Sequence, residues 1–260
     1  MSENLPLSGL KIAVTRPHDQ AETLAAGIAK LGGTAIRFPL LEITPLLDNP
    51  QLLAQLKRLQ AFDTTIFISP NAARYGMQAL RAANLALDHR QQVFAIGQGT
   101  AAVLRKQGVL HARTPESGAD SEALLQLDEL QHLPGRHVLI FRGEHGRSLL
   151  ADTLVRRGAT VEYAPCYQRK APQNDIAQLL DAHPSLLTVS SSEALQNLWD
   201  IVPREQRNWM QHLPLFTIHS RITVAARTLG WQNVITASGG DPGLLAALAR
   251  WAIEHKEKHE

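Results

Sequence analysis

Along this chain, short apolar runs rich in β-branched residues alternate with longer stretches whose apolar positions recur at helical spacing. Residues 11–15 read as a strand, 21–31 as an amphipathic helix, and 34–43 as strand-like again. Further strands are predicted at 64–68, 93–96, 138–142, 160–163, 186–190, 215–218 and 233–236. Each is followed by a turn, usually bearing Gly, Ser or Pro, and most by a helix. Such alternation builds βα units and a largely parallel sheet. Two Pro-flanked segments, 39–50 and 165–184, interrupt the rhythm. Proline removes a backbone donor and restrains the residue before it, so both segments are expected to be extended or loop-like connectors.

Set against itself, the pattern repeats. The strand at 11–15, with its helix and following strand, matches the block at 137–143 at one offset of 126 residues. Arg16 falls on Arg142, Gly32 on Gly158, Thr34 on Thr160 and Pro39 on Pro165. TIFISPNAA from Thr65 then aligns with LTVSSSEAL from Leu187, and FAIGQGTAAVLRKQGV from Phe94 with FTIHSRITVAARTLGW from Phe216, both offset by 122. GADSEALLQL from Gly118 resembles GGDPGLLAAL from Gly239. Four blocks recurring in order describe a duplicated α/β unit. Two such units normally face each other, and ligands of open α/β sheets gather beyond the carboxyl ends of the strands. The working site is therefore expected in a cleft between the halves, lined by the turns that follow strands.

Composition narrows the class. At 260 residues with 44% hydrophobic content, the chain has room for two modest domains or one large one. Its 26 basic and 24 acidic residues are spread evenly, which leaves no basic tract for nucleic acid but permits a local site for a small anion. The single Cys166 can form no internal disulfide, no run is long and apolar enough to span a bilayer, and the start MSENLPLSG does not resemble a secretion signal. A cytoplasmic protein without a membrane partner is the expectation.

The candidate chemistry lies in the strand-end turns. Arg16 leaves the first strand, and its repeat partner Arg142 is followed by Gly143 and, one helical turn on, Arg147. An arginine fork near a helix N-terminus suits a carboxylate or phosphate, although a solvated or salt-bridged arginine is the plainer alternative. Ser69 with Asn71, and Ser191 with Ser192, lie between a strand and a helix. Their polar groups fit helix capping and anion binding alike. No Gly-x-Ser-x-Gly elbow accompanies them, which argues against a serine nucleophile. Gly97-Gln98-Gly99-Thr100-Ala101-Ala102 fits a dinucleotide fingerprint. It opens the third block rather than the first βα turn, and its repeat copy is His219-Ser220-Arg221, so a nicotinamide cofactor is rejected. Gly97 and Thr100 read instead as backbone and hydroxyl donors to an anion. Tyr167, in a connector, is either a proton donor at a cleft edge or an amphipathic side chain sealing a hinge. Cys166 reads as packing. No Cys/His cluster has metal spacing, and His255 and His259 read as solvated members of a charged tail.

Taken together, VTRP near the start, FISPNAA, FAIGQGTAAVL with GADSEALL, FRGEHGRSLLADTLVRRGATVEYAPCYQRKAP, SSSEAL and the closing Gly-Asp-Pro-bearing helix resemble the uroporphyrinogen-III synthase family over nearly the whole chain. The resemblance implies two flavodoxin-like, parallel-sheet domains joined by a two-stranded β ladder. Carried over, the first domain is residues 1–37 with 173–260, the second 46–162, and the ladder 38–45 with 163–172. It implies cyclisation of hydroxymethylbilane, a linear tetrapyrrole with eight carboxylates, to uroporphyrinogen III in heme biosynthesis, with inversion of ring D and loss of water. No cofactor or metal is implied. The expected form is a monomer, with transient contact to the preceding pathway enzyme possible. Tyr167 matches the family's connector tyrosine and is the candidate acid. Arg16, Ser69, Asn71, Gly97, Thr100, Arg142, Gly143, Arg147, Ser191, Ser192 and Ser220 are the candidate substrate-binding set. Two departures stand out: His219-Ser220-Arg221-Ile222 replaces a commoner Gly-Pro-Thr-Thr, and Ser190-Ser191-Ser192 a commoner Ser-Pro-Ser. The rival reading is a two-lobed, non-enzymatic binding module closing over a small polyanion, and a third is a scaffold protein, which would need no convergent arginines and hydroxyls.

Overall fold

The computed structural model describes residues 5–256. The chain divides into two compact units, Met1–Glu42 with Lys170–Glu260, and Ile43–Arg169. Each is built on its own five-stranded sheet.

The first unit holds β1 (Lys11–Val14), α1 (His18–Lys30) and β2 (Thr34–Arg37), then α7 (Ile176–Asp181), β8 (Leu186–Val189), α8 (Ser192–Ile201), α9 (Arg204–His212), β9 (Leu215–Thr217), α10 (Ser220–Thr228), β10 (Val234–Thr236) and α11 (Gly240–Lys256). Its sheet runs β10-β9-β8-β1-β2, with every adjacent pair parallel. The second unit holds β3 (Glu42–Pro45), α2 (Pro50–Lys57), β4 (Thr64–Phe67), α3 (Pro70–Ala82), β5 (Gln92–Ala95), α4 (Gln98–Lys106), α5 (Ser121–Leu124), β6 (His137–Gly143), α6 (Leu149–Arg156) and β7 (Thr160–Lys170), with sheet order β3-β7-β6-β4-β5. The chain passes between units twice, once in β3 and once in β7, and these two strands pair with each other.

The repeat seen in the sequence is laid out in space with its halves interleaved. β1 and β2 of the first repeat pair into a sheet with β8 and β9 of the second, while β4 and β5 pair with β6 and β7. Even the weakest strand obeys the rule. β10 pairs with β9 through Ile235 and Phe216, and its counterpart in the other unit shrinks to one parallel bridge between Phe94 and Arg113, both 122 residues earlier.

Each sheet is covered on both faces, so its central strands β4 and β8 are buried at every position rather than at alternate ones. On one face of the second sheet Phe67, Leu139, Phe141, Ala164 and Cys166 pack against α3 and α4. On the other, Ile66, Val138 and Ile140 pack against α5 and α6. Phe67 and Phe141 stack at 4.8 Å between centroids; burying each ring contributes about 2–3 kcal/mol. Gly76 of α3 lies against that stack, where a Cβ would come within 2.7 Å of the Phe141 ring.

Three segments differ from the pattern read in the sequence. The run 34–43 is not one strand: β2 ends at Arg37 in the first sheet and β3 starts at Glu42 in the second. Within 39–50, only part is connector, since β3 lies inside it and Pro50 opens α2. Proline at the first helical turn loses no needed donor, and Asn49 caps the helix by accepting from the Leu52 N–H at 3.0 Å. Within 165–184, β7 continues to Lys170 and α7 follows, capped by Asp175, whose carboxylate accepts from the Ala177 N–H. Both flanking prolines, Pro172 and Pro184, fall outside that helix. Among the described residues, no helix is long and apolar enough to cross a membrane, and no cluster of three or more His, Cys, Asp or Glu side chains is placed to hold a metal ion.

Candidate active site

In the second unit, the carboxyl ends of β4, β5 and β6 carry most of the predicted residues. Ser69 follows β4 and caps α3, its Oγ accepting from the Ala72 N–H at 2.9 Å. The same oxygen lies 3.3 Å from the hydroxyl of Tyr167. Tyr167 is buried, its ring tilted against Tyr75 at 5.8 Å, and the Tyr75 hydroxyl donates to the Ile43 carbonyl at 2.9 Å. The phenol stands over Gly143, where a Cβ would come within 2.9 Å of the ring. Only glycine admits it.

A register irregularity brings this group together. Arg142 pairs with Pro165, but Gly143 pairs with Tyr167, so Cys166 is an extra residue opposite that step. In a regular strand consecutive side chains point to opposite faces. With the bulge, Cys166 and Tyr167 both enter the core under α3, and Tyr167 reaches Ser69. Pro165, which has no N–H to give the ladder, lies beside the irregularity, where strand prolines are tolerated. The Cys166 thiol donates to the carbonyls of Arg142 and Ala72 at 3.4 and 3.6 Å. Burial pushes its pKa up to about 12, so it is a packed thiol and not a nucleophile.

Arg142 takes the other face. It alternates with Val138 and Ile140 toward α5 and α6 and is only 6% exposed. Its guanidinium lies 4.4 Å over the Tyr163 ring. Nε donates to the Gly143 carbonyl at 3.3 Å and Nη1 to the Arg147 carbonyl at 3.4 Å, both long. Among the described residues, no carboxylate forms an ion pair with it. Two hollows adjoin it. One of about 230 Å³ has Ile68, Ile96 and Ile140 in its floor and Asp120, Glu122 and Arg147 around it. The other, about 360 Å³, is lined by Gln51, Glu144, Ser148 and Tyr163. Gly146, at φ 158°, closes over the guanidinium, which a Cβ there would strike.

The remaining candidates of this unit divide. Asn71 opens α3, half-buried, and Arg147 is exposed after β6. Gly97 precedes α4 without a side-chain cap, and a Cβ there would meet Ala119 at 2.7 Å, so the glycine permits close approach of two turns. Thr100 is 2% exposed and shares the inward face of α4 with Ala101 and Leu104; the helical period turns it away from the exposed rim.

In the first unit, Arg16 leaves β1 and forms an ion pair with Asp241, in the first turn of α11; both side chains are less than a fifth exposed. Ser191 caps α8, accepting from the Ala194 N–H at 3.0 Å, the same bond that Ser69 makes to Ala72. Ser192 opens that helix, half-buried. Ser220, exposed, opens α10, where His219 caps by accepting from the Arg221 N–H at 3.2 Å.

Within the second unit the predicted residues form two groups. Ser69, Gly143 and Tyr167 meet on one face of the second sheet, and Arg142 and Arg147 adjoin a hollow on the other. Neither hollow beside Arg142 includes Ser69 or Tyr167 among its lining residues. Sequence reasoning missed Tyr163, Asp241 and Glu122. Asp241 had a signal, because the repeat aligns it with Asp120; Tyr163 had none, since only strand pairing puts it under Arg142. His255 stacks on Trp251 at 4.3 Å, while His259 lies outside the described residues.

Comparison with known proteins gives one consistent result. A family model described as uroporphyrinogen-III synthase HemD matches residues 22–246. The uroporphyrinogen-III synthases of Escherichia coli and Salmonella typhimurium are each 36% identical over 245 residues, covering 92% of this chain and 100% of theirs. In fold, the chain is similar to a mutant uroporphyrinogen III synthase from Thermus thermophilus, with a TM-score of 0.61 at 20% identity, covering 95% of this chain and 100% of that one. It is likewise similar to the uroporphyrinogen-III synthetase of Helicobacter pylori, with a TM-score of 0.59 at 15% identity, covering 93% and 98%.

Proposed function

The chain belongs to the uroporphyrinogen-III synthase family, and we propose from that premise that Tyr167, held by Ser69 and seated on Gly143, is the acid at its reacting centre. The reaction closes hydroxymethylbilane to uroporphyrinogen III. The terminal hydroxyl leaves with a proton as water, and the bilane is left as an electrophilic azafulvene. Attack through the substituted carbon of ring D forms a spiro intermediate, which fragments and recloses with that ring inverted. Without a catalyst the chain closes uninverted. Orientation is therefore most of the task, and holding a flexible substrate in the reactive pose lowers the barrier by making the step effectively unimolecular.

One observation carries the chemistry: the only tyrosine hydroxyl at a strand end of the second unit that is fixed by a helix-capping serine stands directly over a glycine. Ser69 Oγ accepts from the Ala72 N–H, and its own O–H is free to donate to the phenol oxygen 3.3 Å away, which leaves the phenol O–H for the substrate. A positioned phenol donates its proton to the departing hydroxyl and takes one back when the ring closes. Each unit contributes donors suited to a substrate with eight carboxylates: backbone N–H groups at the starts of α3 and α8, the hydroxyls of Ser191, Ser192 and Ser220, the Asn71 amide, and Arg142 and Arg147, with Arg16 held in reserve by its Asp241 partner. The Gly97 backbone completes the set, while Thr100, on the inward face of its helix, packs with Ala101 and Leu104. No cofactor is required by this scheme, and the single, buried, unpaired cysteine suits a reducing compartment such as the cytoplasm. A monomer suffices.

Incubation with fresh hydroxymethylbilane, followed by oxidation and separation of the porphyrin isomers, tests the assignment. The type III isomer is expected; type I alone, as in an enzyme-free control, eliminates it. Tyr167→Phe is expected to lower the rate about a hundredfold while leaving type III as the product, the usual scale for loss of a proton donor. An undiminished rate reduces Tyr167 to packing.

A further inference from the structure

The hollow beside Arg142 on the α5/α6 face is not part of the Tyr167 group, and it has a composition of its own. Its floor is apolar, made by Ile68, Ile96 and Ile140, and its cations come from the end of β6 and the turn after it. Asp120 and Glu122, from the start of α5, supply acceptors. At about 230 Å³ it falls below the roughly 300–1,000 Å³ of sites that enclose whole drug-sized ligands.

The state of Arg142 is the unusual feature. A guanidinium stays charged in proteins and carries five N–H donors. Here the residue is only 6% exposed, its guanidinium rests on an aromatic face, and among the described residues its hydrogen bonds are two long ones to carbonyls. Burying a charge without a counter-charge is costly, so an unpaired buried cation is stable only when the fold supplies the cost and is functional only when something anionic meets it. Asp120 is the nearest source in the sequence, since its repeat counterpart Asp241 pairs with Arg16. It is engaged elsewhere, capping α5 by accepting from the Ala123 N–H at 2.8 Å.

We infer that this hollow is a one-ring subsite of the second unit, taking a single pyrrole with its acetate or propionate carboxylate on Arg142. The inference rests on the tetrapyrrole reading above and specifies where one ring lies. The chemistry matches edge by edge. The flat ring covers the isoleucine floor, a β-carbon acid arm reaches the arginine fork in the planar, two-point geometry that carboxylates favour, and the pyrrole N–H, on the opposite edge of the ring, is left for the Asp120 or Glu122 carboxylate.

The test uses the full chain and a monopyrrole bearing one acetate and one propionate arm, titrated by calorimetry. Binding by the unaltered protein is expected, weakened at least tenfold in Arg142→Met and in Ala151→Leu, which fills the hollow from α6 without touching its charge. Arg156→Met, removing an exposed cation from the last turn of the same helix, is expected to leave binding as it was. Thermal unfolding checks that the variants fold, and Arg142→Met should melt no lower than the unaltered chain because no carboxylate loses its partner. Equal binding in Arg142→Met and Ala151→Leu, or no binding by a chain that makes the type III isomer, overturns the subsite alone. Failure to make the type III isomer overturns the reading beneath it.

Discussion

The ends of β1 and β6 are repeat-related, and each presents an arginine, yet the two cations are handled in opposite ways. Arg16 is neutralised by Asp241 at the start of α11. Arg142 pairs with no carboxylate among the described residues, lies on Tyr163, and lines two hollows. The partner residues diverged along with them: Asp241 reaches across to the arginine, whereas Asp120 caps its own short helix. The following residue diverged too. Pro17 leads straight into α1, while β6 runs on through the equivalent position, Gly143, whose missing Cβ makes room for the phenol of Tyr167. A duplication can preserve the strand order of its scaffold and still divide the electrostatics, pairing the arginine at one strand end with a carboxylate and leaving the other without one.

Three substitutions would break or sharpen this contrast. Gly143→Ala should have the largest effect, because its Cβ enters the Tyr167 ring. Overpacking of this kind costs about 1–3 kcal/mol, and displacement of the phenol from Ser69 should lower turnover at least tenfold. A Gly143→Ala enzyme with full turnover would show that this end is no more demanding than the Pro17 end.

Asp241→Ala comes next. It leaves Arg16 without its counter-charge, which should cost about 1–3 kcal/mol, below the 3–5 of a fully buried pair because both groups are partly open to water. At roughly 2–4 °C per kcal/mol for a chain of this size, the melting transition followed by tryptophan fluorescence should fall by several degrees. All four tryptophans, Trp199, Trp209, Trp231 and Trp251, lie in the first unit, so the signal reports on that unit. An unchanged transition would make the Arg16 pair ornamental and the contrast with Arg142 void.

The smallest effect concerns the opposite ends of the same strands. Asp63 precedes β4, and its carboxylate accepts from the His137 N–H at 2.8 Å where β6 begins. Its repeat counterpart Ser185 precedes β8 and accepts from the Lys11 N–H at 3.1 Å where β1 begins. The bond is the same, but only one acceptor titrates. The His137 backbone bond, and then Arg136, hold the Asp63 carboxyl below its ordinary value of 3.8. A folded-state pKa below the unfolded one means stability that is present at neutral pH and lost as pH falls through the acid range. Asp63→Ser should therefore flatten the stability profile of the second unit between about pH 5 and 3, measured by circular dichroism. Asp63 is largely solvated, so the change should be slight; a profile that steepens would reverse the sign assigned here.

Much of the fold was legible in the sequence because its signals are local. Strand and helix periods, the serines that cap α3 and α8, and the 126- and 122-residue offsets of the repeat all follow from residues close to one another in the chain or matched by position. The candidate site was legible only as a set of strand-end residues. Which of them meet depends on pairings between strands far apart in sequence. Local patterns also misjudged the proline-flanked stretches, since a proline at a first helical turn or beside a bulge disturbs nothing.

By itself, the sequence determined that the chain is a doubled α/β unit with arginines, serines and glycines at the ends of its strands, because periodicity and repetition are properties of order along the chain. Only the tertiary structure decided that the repeats interleave, that one extra residue at Cys166 turns Tyr167 toward Ser69, and that Arg142 faces the other side of its sheet. Those outcomes depend on register between strands, and a shift of one residue exchanges the two faces of a sheet.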